Sequence, residues 1–60
     1  MTSNTATIIN TAGQDLEIVL KSGRQYEHIC LSAGKNITVP RKSITDVCME
    51  LQQRQLLQII

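Results

Sequence analysis

The chain has 60 residues, five acids against six bases for a formal net charge of +1, and an apolar fraction of 42% in which Tyr26 is the lone aromatic residue. That length allows one small domain with a thin core, burying only about 60% of the surface its unfolded form exposes. Balanced charge and missing stacking residues argue against nucleic acid as a partner, and no apolar run approaches the roughly 20 residues that cross a bilayer, which argues against a membrane.

Glycines at positions 13, 23 and 34 punctuate the first forty residues at near-regular spacing. Turn residues between short apolar runs are the signature of antiparallel strands joined by tight loops. The polar start, residues 1–4, reads as a flexible arm or one that orders on a partner. Strands are predicted at about 5–10, 15–21, 25–31 and 36–39. The second alternates most cleanly, Leu16, Ile18 and Leu20 on one face against Glu17, Val19 and Lys21 on the other. In the third, Ile29 and Leu31 oppose Tyr26, His28 and Cys30, so both faces are expected to be covered. In the fourth, Ile37 and Val39 share a face, and Pro40, with no N–H to donate, ends the ladder.

The period changes after Pro40. "SITDVCMELQQRQ" predicts a helix over about 43–54, with Ser43 as N-cap and Asp46 at the third helical position, where the acid meets the positive end of the helix dipole. Ile44, Val47, Cys48 and Leu51 fall at i, i+3, i+4 and i+7, an apolar stripe for the sheet. Thr45, Met49, Glu50, Gln52 and Gln53 lie opposite. "LLQII" closes the sequence as a terminal strand over 56–60, with Leu57 and Ile59 on one face and Leu56, Gln58 and Ile60 on the other. The fold class expected is mainly β: a small antiparallel β-meander, or a sandwich or barrel, of about five short strands with one short helix before the last, all within the single domain 1–60.

No pattern in the chain carries catalysis. Cys30 and His28 share a face of one strand, but parallel side chains at that spacing rarely make the directed bond of a nucleophile and its base. Glu17 and Glu27, expected to face each other across neighbouring strands, occupy solvent positions. The glycines are isolated, so there is no phosphate loop. Cys30, Cys48 and His28 lack metal-ligand spacing, so no metal site is assigned, and no cofactor is implied.

Arg41 and Lys42 read as a solvated turn. The two cysteines allow at most one intrachain disulfide, which needs Cα atoms within about 7 Å, and two buried free thiols are the expected state. "MTSNTATIIN" has neither the basic start nor the apolar core of a secretory leader, so folding in a reducing cytosol is expected, and the acceptor-like "NIT" at Asn36 has no consequence there.

Small domains gain stability from disulfides, metals or association, and here association remains. Leu57 and Ile59 either complete the core or meet a partner. Met49 and Ile60, opposite the core stripe, are expected to be exposed or partner-facing, and Leu56 joins them as a candidate contact. An open edge strand offers a further means of attachment.

From Leu31 onward, a Gly turn, the strand "KNITVP", the short helix "SITDVCMEL" and the strand "LLQII" resemble in layout the very short structural proteins of tailed bacteriophage particles: capsid decoration (cement) proteins or small neck and tail components. The resemblance covers half the chain. It implies a non-enzymatic virion protein, made in the bacterial cytoplasm, that binds a major capsid protein or neck and tail proteins in many copies, alongside copies of itself. The cysteines depart from that family, and under the resemblance Cys30 and Cys48 become candidates for intersubunit disulfides formed after the particle leaves the cell. The other reading of the chain is a free-standing homodimeric adaptor or regulatory module, its terminal strands paired about a two-fold axis.

Overall fold

A computed structural model describes residues 4–60. The architecture is mainly β, with strands β1 (Thr5–Asn10), β2 (Leu16–Ser22), β3 (Gln25–Leu31) and β4 (Asn36–Pro40), a 3₁₀ turn (Arg41–Ser43), helix α1 (Asp46–Gln53) and β5 (Leu57–Ile59). The strands form two antiparallel sheets, one ordered β4-β1-β5 and the other the hairpin β2-β3. This is a two-layered sandwich rather than a meander. β1 is central, pairing Thr7 with Thr38 of β4 and Ile8 with both Ile37 and Ile59, so consecutive strands pair directly only in the β2-β3 hairpin.

The hairpin turns through Gly23 and Arg24, with Ser22 opposite Gln25. Gly23 has φ 62°, and Arg24 is not in the left-handed region. A positive φ at the first loop position alone is the type II′ pattern, whose twist matches that of the flanking strands and which favours glycine there.

Between the layers lie Ile8, Val39 and Leu57 from the larger sheet and Ile18, Leu20 and Leu31 from the hairpin, with Cys48 of α1 closing one side. Ile37, Ile59, Leu16, Ile29, Ile44 and Leu51 pack around them. Burying such side chains contributes about 1.5–3 kcal/mol each before conformational entropy is subtracted. β2 alternates as expected, Ile18 and Leu20 inward and Glu17 and Lys21 exposed. The second face of β3 is not covered: Tyr26, His28 and Cys30 are all exposed.

Among the described residues Asn10 is the one polar residue of the buried core, 2% exposed. Its Nδ2 donates to the carbonyls of Gln14 at 2.7 Å and Leu31 at 2.8 Å, and its Oδ1 accepts from the Ala12 N–H at 2.8 Å. Its backbone pairs with the β3–β4 loop, N–H to the Lys35 carbonyl and C=O from the Gly34 N–H. One side chain thus ties the loops at one end of both sheets, satisfying backbone groups that burial would otherwise penalise.

The helix starts later than its sequence predicts. Residues 41–43 form the 3₁₀ turn, Ile44 is extended at φ −73° and ψ 126°, and Thr45 occupies the N-cap position. Ser43 is therefore not the cap, and Asp46 is the first helical residue rather than the third. Ile44 bridges to Leu20 as an extended residue, which fills the core without helix and displaces the helical register.

With Cys48 at the centre of the buried seam, Val47 turns outward and is 42% exposed, against its expected place in the stripe. The Thr45 hydroxyl makes no capping bond; it donates instead to the Val19 carbonyl of β2 at 2.7 Å. Helix stability comes from docking rather than from a side-chain cap.

The far end of α1 reverses in a Schellman motif. The Gln55 N–H donates to the Gln52 carbonyl and the Leu56 N–H to that of Leu51, with Gln55 at φ 64°. The reversal lays β5 antiparallel to α1, and the Gln52 Oε1 accepts the outward-facing Ile59 N–H at 2.9 Å. Residues 1–3 of the expected arm lie outside the described residues, while the Asn4 carbonyl accepts from the Arg41 N–H at 2.9 Å.

Candidate interaction surfaces

The terminal residues divide cleanly. Leu57 is 2% exposed and belongs to the core, and Ile59 packs against it, which resolves the two readings of this pair in favour of core completion. Leu57 has almost no exposed surface in this fold, whereas Ile59 is half-buried. Leu56 is half-buried behind the helix reversal. Ile60 is 63% exposed and Met49 48% exposed.

The Gln52–Ile59 bond sets the level of α1 against β5. Met49, three residues before Gln52, and Ile60, one after Ile59, therefore come to the same end of the molecule. Val47, also exposed, lies two residues before Met49 and so on the opposite flank of α1 across the buried Cys48. Isolated exposed apolar residues are ordinary, whereas several on adjoining elements mark a surface that association would bury.

The cysteines are free and unlike each other. Cys48 is 0% exposed, and its Sγ lies 3.3 Å from the Val19 carbonyl, the same oxygen that Thr45 holds. An intersubunit disulfide through Cys48 would require the core to open. Cys30 is exposed on β3, not buried as its sequence context predicts, because nothing among the described residues covers that face.

Glu17 and Glu27 do not face each other: Glu17 is opposite Cys30, and Glu27 is opposite the buried Leu20. Glu17 instead contacts His28, Oε1 to Nδ1 at 3.0 Å, in an exposed diagonal pair. Exposed pairs of this kind contribute at most about 1 kcal/mol. Among the described residues no group of three or more His, Cys, Asp or Glu side chains is placed to hold a metal ion, and no helix is long and apolar enough to cross a membrane.

An open cavity of about 440 Å³ lies between the hairpin turn and the 3₁₀ turn, lined by Lys21, Ser22, Gly23, Pro40, Lys42 and Ser43. Its walls are mainly exposed side chains, two of them lysines and two serines. Asn10 and the Gln52–Ile59 bond are the structural features that sequence reasoning missed; an Asn immediately before a T-A-G turn was the available signal for the first, since Asn bonds readily to backbone two residues on. No family model, no curated protein and no solved structure matches the chain.

Proposed function

We propose that this chain is a non-enzymatic structural protein of a bacteriophage particle, attaching in many copies to a capsid shell or to the neck or tail and stabilising it. The observation that carries the reading is the pair of exposed apolar side chains at one end of α1 and β5, Met49 and Ile60, on a domain too small to hold a large core. The layout of residues 31–60 supports the same assignment. Attachment runs through these side chains and not through the outer edge of β5, whose Ile59 N–H is already held by Gln52.

The test is quantitative mass spectrometry of particles purified from cells that make the chain, compared with Met49→Asp/Ile60→Asp. The wild-type chain is expected in the particle at a fixed copy number. The double variant is expected to keep its circular dichroism spectrum and to remain in the particle-free fraction. A wild-type chain found wholly outside the particle overturns the assignment; a folded double variant that still attaches overturns the surface.

In the alternative, a free-standing homodimeric module whose terminal strands pair edge to edge, that pairing would first displace Gln52 from the Ile59 N–H. A different strand favours self-association.

A further inference from the structure

Among the described residues, backbone hydrogen bonding along each sheet edge leaves one long edge open. In β5 the outward Ile59 N–H is taken by Gln52. In β2 the outward Val19 carbonyl is taken twice, by Thr45 and Cys48, and Ile44 bridges to Leu20. β4 is five residues long and ends at Pro40, which has no N–H to offer.

β3 differs. A two-residue hairpin closes with a hydrogen-bonded pair at Ser22 and Gln25, so the pairs Leu20–Glu27 and Ile18–Ile29 exchange bonds while Tyr26, His28 and Cys30 turn their N–H and C=O groups away from β2. All three residues are exposed, Tyr26 at 62%.

We propose that β3 is a self-association edge, on which two copies of the chain pair antiparallel about a two-fold axis through His28. Of the two-fold registers that join outward groups to outward groups, the one centred on His28 aligns the most residues. His28 meets His28 of the second copy, and Tyr26 meets Cys30 on either side. Centring on Tyr26 or Cys30 runs the strands into the Gly23 turn or the Ser32–Lys35 loop.

The charges also fit this register. Glu27 faces Ile29 of the second copy rather than a like charge, and each His28 keeps its own Glu17 at 3.0 Å. The result is a continuous sheet β2-β3-β3-β2 across the dimer. It makes no use of Met49 or Ile60, so its failure and that of the attachment surface are separable. One strand edge is a small contact compared with the 1,200–2,000 Å² typical of stable interfaces, which gives a weak, concentration-dependent dimer.

The register predicts its own cross-link. Tyr26 and Cys30 of the second copy would lie about 5.5 Å apart at Cα, within the disulfide range. The two Cys30 residues would lie about 14 Å apart, four residues along the strand, and could not join. Tyr26→Cys oxidised with diamide is therefore expected to give a dimer on a non-reducing gel. The wild-type chain, and Glu27→Cys, whose thiol points to the other face, are expected to stay monomeric on the same gel.

Sedimentation of the wild-type chain between about 10 µM and 1 mM should show the mass rising from 6.7 kDa towards twice that value. His28→Pro removes an outward N–H, together with the exposed contact to Glu17, and should abolish the rise while the hairpin's dichroism persists. A wild-type chain monomeric throughout, no cross-link in Tyr26→Cys, equal cross-linking in all three proteins, or a folded His28→Pro that still dimerises overturns the proposal; should His28→Pro unfold, the cross-linking pattern decides alone.

Discussion

Replacing Asn10 tests the account of the core most directly. Asn10→Ala removes three side-chain hydrogen bonds at once. Leu31 is 3% exposed, and its carbonyl, left with the Leu16 N–H of the β2–β3 ladder, loses its second donor, while Ala12 is half-buried and Gln14 exposed, so that water reaches their backbone groups. Each of the three bonds represents about 0.5–1.5 kcal/mol, a sum of about 1.5–4.5 kcal/mol against the roughly 3–5 kcal/mol that a core of this size supplies in total. Asn10→Ala is therefore expected to lose much of its stability at 25 °C in urea titrations followed by circular dichroism.

Asn10→Asp keeps the shape and the acceptor for Ala12 but aims a carboxylate at the carbonyls of Gln14 and Leu31. Burial and those two dipoles raise the folded-state pKa of the introduced acid above its unfolded value of about 3.9. The folded state then binds more protons across the window between the two values, so this variant loses stability as pH rises through that window and regains part of it in acid. Exposed Asn36 serves as the control, Asn36→Ala leaving the unfolding midpoint within about 0.5 kcal/mol of wild type. An Asn10→Ala protein within about 1 kcal/mol of wild type would refute the reasoning, because the three lost bonds together should cost more.

Further expectations concern the helix reversal and the thiols. Gln55→Gly should stabilise the fold by about 0.5–1 kcal/mol, since φ 64° is costly for a residue with a Cβ and easy for glycine, and a lower melting temperature would show that the Gln55 side chain makes a compensating contact. An aromatic disulfide reagent should titrate one thiol in the native chain, Cys30, and two in denaturant, where Cys48 becomes accessible; two fast native thiols would mean that the α1 seam is open in solution. Thr45→Ala should cost about 0.5–1.5 kcal/mol through its lost bond to Val19, with Thr45→Ser restoring most of it, and equal loss in both variants would place the effect in the methyl group instead.

Much of the local structure was written in residue order. Alternation of Leu16, Ile18 and Leu20 fixed which face of β2 goes inward, because a strand's side chains alternate whatever it pairs with. Gly13, Gly23 and Gly34 all take positive φ, so the turns fell where glycines stood. Met49 and Ile60 could be read as exposed from their faces alone. Cys48 could be read as inward from its place in the helical stripe, but Val47 could not be read as outward, since that depended on where the helix began. The start was set by Ile44 reaching Leu20 in extended form, a contact across 24 positions that no cap motif reports.

Sequence by itself determined the order and approximate spans of the strands and helix, the inward face of β2, and that the core would be aliphatic and thin. These are properties of short windows, governed by period, backbone sterics and side-chain polarity. Tertiary structure alone decided that β1 lies between β4 and β5, that Asn10 belongs inside, that Gln52 closes the edge of β5, and that β3 keeps its edge and outer face open. Each of these depends on groups brought together across 7 to 31 positions or more. Which distant partners meet is settled by packing both layers around one core and satisfying every buried backbone group, a condition on the whole chain that no single window contains.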